Sequence, residues 1–379
     1  MPQPCRGVRK ALKRPAHETH VPRAPRDHAL AKILAFVMGV QSLVPMAGPA
    51  RQGKIVVGSA CSGYNSDLLA LEMLKVDFVS AFACELDPKI RALSALMHAH
   101  FRVFEDCCTN TFLQSPNCDL FMSGFPCQPY SKAGKNQGVA DDLGRGLVIF
   151  WLLKWLWLHK PKAFVLENVG NFAQQHKDIL QIILQVLVSF KIYEVQWKIL
   201  ENSTVGYIPQ HRERVFICGI LKSSLKYPFR WPEPVDKLPL TTFFKKNTQN
   251  EAQLGYNSLN KTEASNVRTI TAKILNKGHD PKKHHYVCDI SGTVPHMMLE
   301  VSPCLTVTRA ASCGHWLSWL ERKMSTSECL ALQGVSMTRM GDYSQFLSDR
   351  QLRRMAGNSV PVPMLARVLD MMLVSSGLK

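Results

Sequence analysis

The chain has 379 residues, 46% of them hydrophobic and 20% charged, a composition that buries a core and excludes a disordered protein. Its 46 Lys and Arg against 29 Asp and Glu leave a net charge of +17, which points to an acidic partner, nucleic acid foremost. The 12 cysteines are spaced irregularly, Cys107 and Cys108 being the only close pair, which excludes a disulfide scaffold and predicts reduced thiols; no run of about 20 apolar residues exists, which excludes a membrane protein.

Residues 1–53 are expected to form a basic, flexible N-terminal arm, with ten Lys or Arg up to Lys54 against Glu18 and Asp27, a net of +8. Within it Leu30, Ile33, Leu34 and Val37 have helical spacing. An Arg-rich, acid-poor, amphipathic start also describes an organelle transit peptide. From Lys54 short apolar strands alternate with helical patterns: strand 55–60 and helix 67–75, strand 78–84 and helix 88–100, strand 119–123, strand 162–166 and helix 177–190. Such alternation predicts an α/β fold, an open, doubly wound, mostly parallel sheet covered on both faces, whose ligands bind at the carboxyl ends of the strands. The segments 193–200 and 214–221 read as a hairpin finishing the sheet at its edge. Residues 54–221 are thus expected to be the catalytic and cofactor-binding domain. Residues 222–326 lose the rhythm and hold fifteen basic and eight acidic residues, a net of +7, whereas 55–221 hold fifteen of each. They are expected to form a separate, smaller, loop-rich lobe with strand-like pieces at 267–272 and 304–308. Residues 327–379 return to the catalytic domain, with a helical pattern at 361–374.

Four constellations fall at predicted strand ends. Gly58 to Asn65 joins a strand to a helix, where main-chain N–H groups meet a ligand. Glu85 ends the next strand and suits ribose hydroxyls, while Asp106 suits an adenine amine. Gly124-Phe125-Pro126-Cys127-Gln128 places a thiol at a strand end, where a thiolate becomes available as a nucleophile. Glu167-Asn168-Val169 ends an apolar strand, so burial is expected to raise the Glu167 pKa. In Gln210-His211-Arg212-Glu213-Arg214 an extended chain sends Gln210, Arg212 and Arg214 to one face.

Taken together these residues resemble the C5-cytosine DNA methyltransferase family. Gly124 to Gly134, GFPCQPYSKAG, is similar to its nucleophile loop, Glu167-Asn168-Val169 to its proton-relay motif and Gln210 to Arg214 to its Gln-x-Arg-x-Arg motif. Ser327 to Gly334 resembles the motif after the recognition lobe, and Gly357-Asn358-Ser359-Val360-Pro361 the closing motif. The resemblance covers about residues 54–375. It implies a Rossmann-like fold that uses S-adenosylmethionine, with 222–326 as an inserted target-recognition lobe. The catalytic residues it implies are Cys127, Glu167, Arg212 and Arg214. Cofactor binding falls to Cys61, Gly63, Tyr64, Glu85, Leu86, Asp106, Pro126, Leu147, Asn358 and Ser359. By the same resemblance Cys127 attacks carbon 6 of a flipped cytosine, Glu167 protonates N3, Arg214 holds the base carbonyl and Arg212 steadies the Cys127 loop. Residues 128–145 are a natural lid, and Lys245, Lys246, Lys273, Lys277, Lys282 and Lys283 are candidate phosphate contacts on double-stranded DNA.

Two departures bear on cofactor affinity: Cys61 stands where an aromatic residue usually packs on adenine, and Asn65 replaces a glycine, although Asn tolerates the left-handed backbone. A transfer-RNA methyltransferase and an inactive DNA-binding member are the alternatives; Phe125 and Ser131 depart from the RNA branch's pattern and favour DNA. The expected location is the nucleus, or an organelle if the arm is a transit peptide. No metal is expected, since His284, His285, Cys288, Cys304, Cys313 and His315 lack a repeated close pair. Protein partners are not indicated.

Overall fold

The computed structural model describes residues 28–40, 43–126, 147–244, 251–336, 338 and 347–379. Seven strands form the main sheet: β1 (Ile55–Ala60), β2 (Phe78–Cys84), β3 (His100–Phe104), β4 (Leu120–Gly124), β5 (Ala163–Val169), β6 (Tyr193–Glu201) and β7 (Glu213–Leu221). Their order is β3-β2-β1-β4-β5-β7-β6. The first five are parallel, and β7 runs antiparallel to both β5 and β6, so the expected hairpin does close the sheet.

Side chains alternate between the two faces of each strand, and both faces are buried. Ile55 and Val57 of β1 join a core with Leu68 and Leu71 of helix Ser66–Met73 and Leu369 and Met372 of helix Val362–Ser375. Val56 between them joins the opposite core, with Phe121, Phe164 and Trp155 of helix Val148–His159 and Ile183 of helix Lys177–Ser189. There the Phe121 and Trp155 rings stack with centroids 4.3 Å apart. No described helix is long and apolar enough to cross a membrane.

Three expectations change. Residues 28–53 are not a loose arm: in helix His28–Met38, Leu30 and Val37 are buried, and Phe36 sets its edge on Trp151 at 5.4 Å. Beyond it the Met46 N–H donates to the Gln114 carbonyl at 2.7 Å and Arg51 pairs with Asp119 at 2.9 Å. Residues 1–27 lie outside the described residues.

The second change is in the lobe, which is more regular than expected. It carries an antiparallel sheet, order β11-β10-β8-β9, made of β8 (Tyr286–Asp289), β9 (His296–Leu299), β10 (His315–Leu317) and β11 (Arg322–Lys323). Residues 267–272 are not a strand but part of helix Lys261–Leu275, because Val267, Ile270 and Ile274 share one face and pack on Tyr286, Cys288 and Trp316. A capping box between Asn260 and Glu263 starts that helix.

Third, residues 304–308 form no ladder; a loop there runs into helix Val307–Ala311. The stretch after Leu221 also belongs partly to the body, since Phe229, Leu240 and Phe244 are buried in the same core as Leu369.

Candidate active site

The carboxyl ends of β1, β2, β4 and β5 open into one cleft of about 970 Å³, closed on the far side by residues 304–308 and by Gly357 to Val360. β1 ends in a turn in which the Ser62 N–H donates to the Cys84 carbonyl at 3.0 Å and the Asn65 N–H to the Ser62 carbonyl at 2.8 Å. Cys61, Gly63 and Asn65 all have left-handed backbones, with φ of 52°, 55° and 61°. Left-handed non-glycine residues cost about 1–2 kcal/mol each, so something must hold them. At Asn65 the cause is visible: the buried amide donates to the Ser94 hydroxyl at 2.9 Å and lies 3.3 Å and 3.2 Å from ring nitrogens of His98 and His100. The loop therefore keeps its turn without the family's glycine.

Glu85, just past β2, accepts the Gly63 N–H on Oε2 and the Asp87 N–H on Oε1, each at 2.9 Å. Burial pushes its pKa up. Each oxygen keeps a second lone pair, enough for a ribose hydroxyl. Asp106 lies past β3, with Oδ1 accepting the Cys108 N–H at 2.8 Å. Cys61, Gly63, Tyr64, Glu85, Leu86, Asp106, Pro126, Asn358 and Ser359 all line the cleft. Leu147 is the exception. It is 49% exposed at the start of helix Val148–His159 and outside the lining, and its neighbour Val148 takes the place.

The catalytic candidates converge from β5 and β7. Glu167 pairs with Gly124 across β4 and β5, and its Oε1 receives Arg214 Nε at 2.8 Å. The pair is buried; burial raises the Glu167 pKa, while Arg214 and Arg212 pull it back. A side chain at residue 124 would bring a Cβ within 3.2 Å of Glu167 Oε2, so glycine there leaves the carboxyl its space.

Arg212, just ahead of β7, is 1% exposed. Its Nη1 donates to the Leu305 carbonyl at 2.7 Å, and its Nη2 to the Gly357 carbonyl at 2.9 Å and to that of Ser359. Burial lowers its pKa to about 10. It ties β7 to the two segments closing the cleft, rather than to any described part of the Cys127 loop. Gln210 works alongside, receiving Gln333 Nε2 at 3.1 Å. Cys127 and residues 128–145 lie outside the described residues, as do Lys245 and Lys246.

Asp67 was not singled out by any motif. It lines the cleft from the first turn of helix Ser66–Met73, 6% exposed, and burial pushes its pKa up to about 6. An acid four residues past Gly63 was the only signal, and solvated first-turn acids are common. Cys304 to Thr308 were missed as lining because they read as a strand.

A mostly parallel sheet in the order 3-2-1-4-5-7-6, a Gly-containing turn after β1, acids past β2 and β3 and a buried Glu–Arg pair between β5 and β7 define a Rossmann-like methyltransferase. The pattern of the C-5 cytosine-specific DNA methylase family matches residues 58–373, and the chain belongs to that family. The family uses S-adenosylmethionine as methyl donor. Similar proteins include the type II methyltransferase M.DsaV of Dactylococcopsis salina, 32% identical over 270 residues that make up 68% of this chain and 69% of that protein. Another is M.NlaX of Neisseria lactamica, 27% identical over 82% of this chain and 94% of that protein. In fold the chain is similar to the Entamoeba histolytica methyltransferase EhMeth, with a TM-score of 0.59 at 16% identity over 86% of this chain and 99% of that one. It is also similar to Dnmt2 of S. pombe, with a TM-score of 0.57 at 15% identity over 85% and 99%.

Proposed function

We propose that this chain methylates carbon 5 of cytosine in double-stranded DNA. The observation that carries the reading is the buried Glu167–Arg214 pair facing Gly124, three residues before Cys127 in the chain, at the mouth of a cleft with Glu85 and Asp106 on its rim. Bacterial type II methyltransferases among its relatives support DNA as the substrate.

The cleft fits S-adenosylmethionine: Glu85 accepts hydrogen bonds with lone pairs to spare, Asp106 is exposed for an amine, and the turn at Gly63 is held in place. When bound, the donor supplies an electrophilic methyl group to the activated base. Cys127 adds as a thiolate to carbon 6, and its electron pair moves through the ring toward carbon 5. Glu167, whose pKa burial raises, delivers a proton to N3 and relieves the ring of the added charge. Arg214 orients Glu167 and faces the base carbonyl. Arg212 is a positioning residue that keeps the closing segments in register. Loss of the carbon 5 proton to solvent then expels the Cys127 thiolate, and N3 returns its proton to Glu167. The base must leave its duplex to reach this cleft, which costs a few kcal/mol. The basic lobe offsets part of that by gripping phosphates.

A duplex carrying 5-fluorocytosine tests the whole scheme, because fluorine at carbon 5 blocks the final elimination. Wild type with S-adenosylmethionine should form a covalent complex that survives denaturation, and Cys127→Ala should form none. Trapping by Cys127→Ala, or no trapping by a wild type that demonstrably binds donor, rules the mechanism out. Methyl transfer to transfer RNA but not to duplex DNA overturns the substrate.

A further inference from the structure

Thiols are crowded at one end of the cleft. Cys61, Cys84 and Cys107 line it, and Cys108 packs beside them. The sulfurs of Cys107 and Cys108 and a carboxylate oxygen of Asp106 all lie within 4.8 Å of one another. Contacts with the thiols of Cys108, Cys61 and Cys84, ahead of burial, push the Cys107 pKa well above the ordinary thiol value. The methylation scheme gives Cys84, Cys107 and Cys108 no task.

We propose that Asp106, Cys107 and Cys108, with Cys61 as fourth donor, form a binding site for a thiophilic divalent cation of the zinc and cadmium kind. Sulfur donors joined by one carboxylate suit a borderline-soft ion that takes four ligands, and they discriminate against magnesium and calcium, which want oxygen. Three of the donors are consecutive, and the Cys108 N–H to Asp106 Oδ1 bond already folds them into one turn. Asp106 is exposed, which gives the ion a way in. Binding is ligation without electron transfer: each coordinating thiol gives up its proton to solvent and binds as a thiolate, so affinity rises with pH. The site shares Asp106 and Cys61 with the end of the cleft assigned to the donor's adenine. Cation and S-adenosylmethionine should therefore exclude one another. That exclusion, unlike the site itself, rests on the functional reading above.

Cadmium ion is the probe, added to the full chain reduced with a phosphine, with the ultraviolet sulfur-to-cadmium charge-transfer band as readout. A single saturable cadmium with at least two thiolate ligands is expected. Cys108→Ser should weaken it by about tenfold or more, whereas Cys313→Ser should leave it unchanged. Cys107→Ser should act like Cys108→Ser; it is the more buried of the two, so circular dichroism accompanies both. No saturable site in the wild type, or equal uptake by a folded Cys108→Ser, overturns the proposal. Saturating S-adenosylmethionine should displace the cadmium. Uptake undiminished by bound donor keeps the cation site and overturns the exclusion, placing the adenine elsewhere, so the two readings fail separately.

Discussion

Asp67 holds a carboxyl where water barely reaches, and its pKa of about 6 against an ordinary 3.8 means that folding favours the protonated form. The stability this group contributes is therefore full below pH 3.8 and is lost as pH rises through about 6. Between pH 5 and pH 8 the loss amounts to about 1.4 kcal/mol. Asn cannot ionise, so the stability of Asp67→Asn relative to wild type should improve by that amount over the same interval in urea unfolding. Three histidines, the half-buried His100 and the buried His159 and His315, have pKa values lowered to about 4 by loss of solvent and contribute the opposite slope, but they are common to both proteins and cancel. A pH-independent difference between the two proteins would refute the assignment. Glu167 differs in kind: in the proposed mechanism its burial serves proton transfer. Glu167→Gln keeps an acceptor for Arg214 and loses the proton, so kcat should fall about 10²–10⁴-fold with donor affinity little changed. A fall of less than tenfold in single-turnover methylation would take Glu167 out of the proton path.

Between elements, Arg212, just ahead of β7, joins that strand to residues 305, 357 and 359 through main-chain carbonyls. Arg212→Met keeps most of the volume but strands three buried acceptors, at a cost of roughly 3–5 kcal/mol. The expected result is a lower urea midpoint together with weaker donor binding, since the same segments wall the cleft. Normal stability in that variant would mean that the carbonyls find water instead. Sequence pattern reaches some of these elements and not others. The strand Phe78–Cys84 is legible because a strand buried on both faces is simply an apolar run, and Asn65 is legible as a left-handed position because few other residues tolerate one. Residues 267–272, Val-Arg-Thr-Ile-Thr-Ala, are rich in β-branched residues and read as a strand, yet helical spacing from Val267 to Ile274 and the Asn260 cap decide otherwise. Arg212 could be placed on a face by alternation, but its partners are 93 to 147 residues away in the chain, beyond the reach of any local rule. The Cys107 cluster was hidden for the same reason, since its sulfurs come from the ends of three neighbouring strands.

Across the whole molecule, charge and chemistry are separated. Residues 55–221 hold equal numbers of acids and bases, whereas 222–326 carry fifteen basic residues against eight acidic ones. Not every base in the lobe is available to a phosphate: Lys282 pairs with Glu321 at 3.2 Å, Lys323 is buried on Glu263 at 2.8 Å, and Arg322 is buried on Glu328 at 2.7 Å. Lys273 is exposed on the last turn of helix Lys261–Leu275, and Lys277 follows it, 5.9 Å over the Tyr286 ring. Neither has an acidic partner among the described residues, so both can meet a phosphate without first breaking an ion pair. Each such contact releases counterions and adds about 0.9 to the slope of log affinity against log salt. The double variant Lys273→Gln, Lys277→Gln should therefore bind duplex DNA more weakly at low salt, with a slope shallower by about 1.8, and with unchanged donor binding. Weakening should be uniform across sequences, because phosphates carry no base identity. A slope identical to wild type in a fluorescence-anisotropy salt series would move the phosphate grip off this helix end.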